Sequence, residues 1–291
     1  MKSLPSINRP LLGGFQWFVT RYLNKSFHAV AVNRQPLPAV MQAAGETIGP
    51  DDALVIYANH ASWWDPLTAI FVAQRLFGDY VMYAPMDAEA LRKYPMFGRM
   101  GFFGVEQQSR SGAAEFLRIA QEILHQPGAS LWVTPEGRFA DVRDTSTPLM
   151  PGLAHLAWKC STRRAESQPA HGGLQDKNPR SRCVWFIPVA VEYTFWEERQ
   201  PELLMWFGRP LSDRAMQGEA KSKWDRELSE RLRAAQRELA SAVVARDVSQ
   251  FDILLGGRSG SFFIYDWWRK LLGLLRGRRV QVEHGQKLNE R

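Results

Sequence analysis

The chain has 291 residues, 45% of them apolar and 23% charged, with 11 tryptophans and a net charge of +7. That balance excludes a disordered or fibrous chain, and the length provides one large core or two small ones. The charge is uneven: residues 1–45 carry +5, residues 258–279 carry another +5, the last twelve sum to zero, and the body is left at −3.

Residues 11–23 place Leu11, Leu12, Phe15, Phe18, Val19, Tyr22 and Leu23 on one helical face. A Pro- and Ala-rich connector follows at 35–50. The short β-rich run 54–58 leads straight into Asn59-His60. Residues 66–77 read as a helix, with Asp65 as its N-cap and Pro66 as its first residue. Strands are expected at 80–84 and, after a Pro/Gly-marked stretch, at 101–105. A helix at 113–125 precedes a strand at 130–134, which ends at Pro135-Glu136-Gly137-Arg138.

Further on come a helix at 152–159, a polar stretch at 161–182 read as an exposed inserted loop, strands at 184–191 and 203–207, and a helix at 219–246. Alternating strands and helices predict an α/β fold: a mixed, largely parallel sheet flanked by helices, with amphipathic helices at both termini. The expected division is an amphipathic membrane-associating segment at 1–45, one folded domain at 46–250, and a basic amphipathic interfacial segment with a tail at 251–291.

Residues 261–279 interleave Phe262, Phe263, Ile264, Trp267, Trp268 and several leucines with Arg269, Lys270 and Arg276. Such a helix lies in a lipid interface, or docks its apolar face on the core; the N-terminal helix has the same two readings. No uncharged apolar run reaches the roughly 18 residues needed to span a bilayer. No nucleic-acid module is visible and the body is acidic, so nucleic acid is not an expected partner. Cys160 and Cys183 have no metal-ligand or disulfide-framework spacing.

Two constellations carry chemistry. In Asn59-His60-Ala61-Ser62-Trp63-Trp64-Asp65, a strand-to-helix turn brings His60 and Asp65 together. A carboxylate on one imidazole nitrogen fixes the tautomer and makes the other nitrogen a proton acceptor, a general base for an alcohol. The alternative is a loop histidine beside an ordinary capping aspartate. In Pro135-Glu136-Gly137-Arg138, Gly137 permits a tight turn, Arg138 can fork to a phosphate or carboxylate, and Glu136 can orient a neighbour or the acceptor. The alternative is a surface turn with a solvated ion pair.

Taken together, His60-x4-Asp65 and the downstream Pro-Glu-Gly-Arg resemble the glycerolipid acyltransferase family, typified by lysophosphatidate acyltransferases. The resemblance spans about residues 54–211 and includes Gly101-Phe102-Phe103-Gly104-Val105-Glu106, Phe186-Ile187-Pro188-Val189-Ala190-Val191 and Phe207-Gly208-Arg209-Pro210-Leu211. It implies transfer of a fatty acyl group from acyl-coenzyme A or acyl carrier protein, as co-substrate, to a hydroxyl of a lipid acceptor, with no cofactor and no metal. His60 would take the hydroxyl proton, Asp65 would orient His60, and Glu136, Gly137 and Arg138 would bind the acceptor, which attacks the thioester directly. The implied setting is the cytoplasmic face of a cell membrane, held peripherally.

One departure bears on the acceptor. The family's second block usually ends in Asp-Arg, and that arginine meets the acceptor phosphate; here the residues are Glu106-Gln107. Glutamine cannot supply a charge-assisted bond to phosphate. Either Arg110 or Arg99 replaces it, or the acceptor is a glycolipid, aminolipid or other hydroxylated lipid without a phosphate. Two further classes stay open on the residues alone: a thioester or lipid hydrolase built on His60, Asp65 and Glu136, and a non-catalytic lipid-binding protein.

Overall fold

The computed structural model describes residues 4–34, 47–107, 109–167 and 182–256. The expected connector lies largely outside these residues, and the basic 258–279 segment lies wholly outside them.

Helix α1 (Arg9–Ser26) opens the fold, its first turn closed by the Asn8 side chain, which accepts from Leu11 N–H at 3.0 Å. Strand β1 (Ala29–Asn33) follows, then β2 (Ala53–Ala58), α2 (Asp65–Leu76), β3 (Val81–Asp87), the short α3 (Ala88–Lys93) and a 3₁₀ turn (Pro95–Met100). The chain continues through β4 (Phe102–Val105), α4 (Arg110–Leu124), β5 (Ala129–Val133), α5 (Pro151–Ser167) and β6 (Val184–Thr194). It ends with β7 (Glu202–Phe207), β8 (Leu211–Ser212), α6 (Lys221–Ala245) and β9 (Phe251–Gly256).

The strands form one sheet in the order β4-β3-β5-β2-β6-β7-β1-β9, with β8 beside the start of β6. β4, β3, β5, β2 and β6 run parallel, β7 turns back against β6, and β1 lies parallel to β7. The sheet is thus mixed and largely parallel, with helices on both faces, as the alternating pattern predicts. β2 reads Ala-Leu-Val-Ile-Tyr-Ala, and its first five residues are buried. An unbroken apolar run is what a strand covered on both faces requires.

Alternation sorts that strand between two cores. Leu54 and Ile56 join Val19 and Leu23 of α1 and Ile70 and Phe71 of α2. Ala53, Val55 and Tyr57 face Ile123 of α4, Leu156 of α5 and Trp224, Leu228 and Leu232 of α6.

Three sequence expectations change. Asp65 is the first residue of α2 rather than its N-cap; Trp64 holds the cap position and makes no side-chain cap bond. The carboxylate is drawn away from the helix start to other donors, described below. α5 continues through Ser167, so the first third of the expected loop at 161–182 is helix. Ser161 there is buried, and Arg164 pairs with Asp213 across a buried 3.1 Å contact. The remainder, 168–181, lies outside the described residues. Finally, the segments expected at 1–45 and 251–291 both send a strand into the sheet. β1 and β9 pair antiparallel, with Asn33 opposite Phe251 and Ala29 opposite Gly256.

Candidate active site

β5, β2 and β6 are adjacent and parallel, with Tyr57 of β2 in register with Val133 and Pro188. Their carboxyl ends therefore deliver Pro135-Glu136, Asn59-His60 and Glu192-Tyr193 to one rim, where open α/β sheets bind their ligands.

Asn59 fixes the exit of β2. Its side-chain amide accepts from Val191 N–H at 2.8 Å and donates to Val191 O at 3.0 Å, continuing the ladder to β6 by one rung. Both backbone groups of His60 are then held by the loop after β5. Its N–H donates to Glu136 Oε2 at 2.8 Å, and its carbonyl accepts from Ala140 N–H at 2.9 Å.

The His60 ring places Nδ1 2.7 Å from Asp65 Oδ2. Asp65 Oδ2 also accepts from Ser62 N–H at 3.1 Å, and Oδ1 accepts from the Tyr193 hydroxyl at 2.6 Å. Asp65 is an acceptor throughout, so Nδ1 carries the proton and Nε2 is the basic nitrogen. The carboxylate is 6% exposed and the imidazole 20%, so the ring is the part of the pair open to a ligand. Burial first, and then the adjacent Asp65 carboxylate, push the Tyr193 phenol well above its usual range, which keeps it a donor. The Phe139 ring lies 4.4 Å from the imidazole, centroid to centroid.

Glu136 spends both oxygens within the protein: Oε2 on His60 N–H and Oε1 on Arg233 Nη1 of α6, at 2.9 Å in a buried ion pair. Arg233 also donates to Gln236 Oε1 at 2.6 Å and to the Thr147 carbonyl, and Gln236 donates to Val142 O. α6 thereby clamps both ends of the loop that carries the Pro-Glu-Gly-Arg motif. Gly137 has φ +65°, a left-handed conformation that favours glycine; a Cβ there would meet only the exposed Met150 side chain, which can move aside. Arg138 is exposed and donates to Thr147 Oγ1 at 3.1 Å, which in turn donates to Asp144.

His60, Asp65, Glu136, Gly137 and Arg138 therefore converge. Among the described residues no hydrogen bond or ion pair links Arg110 to them. It is exposed at the start of α4, which follows edge strand β4, three strands from β2 in the sheet order. Gln107 is exposed on the same edge, and Arg99 is exposed in the 3₁₀ turn before β4.

On the β6 side a cavity of about 440 Å³ shares walls with the pair: Ser62 and Tyr193, which bond Asp65, and Ala140, which bonds His60. Among the described residues, no three His, Cys, Asp or Glu side chains converge as metal ligands.

The sequence reading missed Asn59, Tyr193, Phe139 and Arg233. Arg233 and Gln236 did leave a signal: they are polar residues on the helix face that carries Leu232, Ala235 and Leu239. Tyr193 left none, standing only two residues past an apolar run.

A family model described as Acyltransferase matches residues 31–191. Among solved structures, the 1-acyl-sn-glycerophosphate (LPA) acyltransferase PlsC from Thermotoga maritima is similar, with a TM-score of 0.45, 14% identity and 79% of each chain covered. No curated protein matches the chain. The family match covers more than half of the sequence and includes His60, Asp65 and the Pro-Glu-Gly-Arg turn, and the chain belongs to the acyltransferase family.

Proposed function

We propose that this protein transfers a fatty acyl group from the thioester of coenzyme A or acyl carrier protein to a hydroxyl of a lipid acceptor, at the cytoplasmic face of a membrane to which it is held peripherally. The observation that carries the mechanism is the 2.7 Å contact between His60 Nδ1 and a buried Asp65 carboxylate that accepts two further hydrogen bonds. Nε2 takes the acceptor's hydroxyl proton as its oxygen bonds to the thioester carbonyl carbon. Asp65, with its charge in place beforehand, stabilises the imidazolium that forms. The tetrahedral intermediate then expels the thiolate, which recovers the proton from Nε2, leaving an ester and a free thiol. No covalent acyl-enzyme and no cofactor enter this sequence.

Glu136 acts in this reading as a positioning residue, since its oxygens hold His60 and Arg233. Arg138, exposed beside it, is the member of that motif left to meet the acceptor. The membrane assignment is supported by the exposed aromatic residues of α1 and by the basic terminal segments. Among the described residues no helix is long and apolar enough to cross a membrane.

The test is thiol release from acyl-coenzyme A and from acyl carrier protein, with and without lipid acceptors. Acceptor-dependent release should fall about 10²–10⁴-fold in His60→Ala, the usual contribution of a general base. Release independent of any acceptor would make the protein a hydrolase, and full activity in His60→Ala would end the proposed mechanism.

A further inference from the structure

The cavity beside the pair is lined by aromatic residues and by a small charged set. Phe27, Trp64, Tyr193 and Phe195 supply ring surface; Glu192, Asp141 and Arg143 supply the charges. Glu192 is the unusual member. It is 7% exposed, and among the described residues no hydrogen bond or ion pair joins its carboxylate. Its oxygens are not among the buried polar atoms that lack a partner, so the carboxylate opens onto the cavity and is available to a ligand there. Burial pushes its pKa up, Arg143 opposes that and Asp141 adds to it. Asp141 already spends Oδ1 on the Arg143 backbone N–H, at 2.9 Å.

These groups define what fits. Two carboxylates against one guanidinium leave the cavity without the excess positive charge that a phosphate monoester calls for. A carboxylate is acceptor-only and wants O–H or N–H donors, whereas a guanidinium wants acceptors. A polyol meets both needs. The aromatic rings present faces for the C–H surface of a sugar, because the ring face is the negative end of its quadrupole. The cavity also lies on the β6 side of His60, away from the β4 edge where Gln107 stands in place of a phosphate-binding arginine.

We infer that this cavity is the acceptor head-group subsite, that Glu192, Arg143 and Asp141 recognise a hydroxyl-rich glycosyl head, and that the acceptor is therefore a glycosyl lipid and not a lysophosphatidate. The inference rests on the acyl-transfer reading for its catalytic arm but not for its binding arm.

The experiment uses the full chain and dodecyl glucoside below its micellar concentration as the probe. Two readouts run in parallel: acyl transfer to the glucoside, followed by thiol release and product mass, and glucoside binding by titration calorimetry. Glu192→Gln keeps the shape and removes the charge. It should raise the glucoside KM and weaken calorimetric binding about tenfold, the usual size for a hydrogen bond to a charged group, with the donor KM as internal reference. Arg143→Ala, at an exposed position, should weaken binding in the same direction and guards against a Glu192 variant that folds poorly.

Equal affinity for the glucoside in wild type, Glu192→Gln and Arg143→Ala overturns the subsite. So does transfer to a lysophosphatidate or to an amine-headed lipid while the glucoside is neither acylated nor bound. Loss of the acyl-transfer reading looks different: no thioester is consumed with any acceptor, or His60→Ala keeps full activity, and calorimetry then still decides whether the glycosyl subsite exists.

Discussion

At the scale of single residues, the site is an argument about where one carboxylate points. Asp65 begins a helix, where a side chain ordinarily caps the free N–H groups, yet its oxygens turn back to Ser62 N–H, His60 Nδ1 and the Tyr193 hydroxyl. Pro66, in the first turn, has no N–H to leave unsatisfied, which lowers the cost of that choice. Two substitutions separate charge from orientation. Asp65→Asn presents a donor or a neutral acceptor to Nδ1 and lets the wrong tautomer form. Acceptor-dependent turnover should fall by about 10²–10⁴-fold, mostly in kcat. Tyr193→Phe removes one bond to Oδ1 and leaves the charge, so a loss of about tenfold is expected, with acceptor KM little changed. Equal losses in the two variants would show that Tyr193 holds the fold and not the carboxylate. His60 and Asp65 were legible in the sequence because only the four residues of one turn separate them. Tyr193 was not, because 128 residues separate it from Asp65 and only the β2–β6 pairing brings it back.

At the scale of elements, α6 is the part whose role the sequence hid. Its period reads as a helix, and its length was legible to within two residues at either end. What periodicity does not tell is that Arg233 reaches the motif after β5. That needs the tertiary fold, which packs α6 over β6 and β7 and so brings it to the loop after β5. Arg233 and Glu136 are both almost fully buried, so neither charge has water to fall back on. Arg233→Met should therefore cost about 3–5 kcal/mol in chemical denaturation, because it strands the Glu136 carboxylate. Adding Glu136→Gln removes the stranded charge and should recover part of that loss, a coupling that a double-mutant cycle reads directly. Strictly additive losses would mean that the two side chains do not sense each other. Turnover should fall in both, since Glu136 is also what holds His60 N–H. Other element boundaries show the same limit. The polar residues of 161–167 looked like loop, yet they are helix because Arg164 finds Asp213, a partner 49 residues away.

At the scale of the whole molecule, α1 docks on the core with one face and leaves apolar groups exposed on another. Val19 and Leu23 are fully buried against the sheet, while Trp17 is 64% and Phe18 49% exposed. From Phe18 the aromatic contacts run through Tyr22, stacked at 5.7 Å, to Trp64 at 5.1 Å, and Trp64 lines the head-group cavity. Trp63, stacked on Trp64 and 56% exposed, extends the band toward the site rim. An exposed aromatic band that ends at the site is what a lipid substrate entering from a bilayer would need. Arg21, whose guanidinium lies 5.2 Å above the Trp17 ring, and Lys25 put positive charge on the same helix. Binding to anionic vesicles should then have two separable parts. Trp17→Ala with Phe18→Ala removes apolar insertion, and affinity should fall at least about tenfold while the salt dependence stays. Deleting 258–279 removes six basic residues at about 1 kcal/mol each near an anionic surface, so affinity should fall and the remaining binding should respond much less to salt. Equal binding of anionic and zwitterionic vesicles by the intact chain would sink the electrostatic part. Unchanged binding in the double alanine variant would sink the aromatic part, and the basic ends would then have to hold an acidic body to the membrane alone.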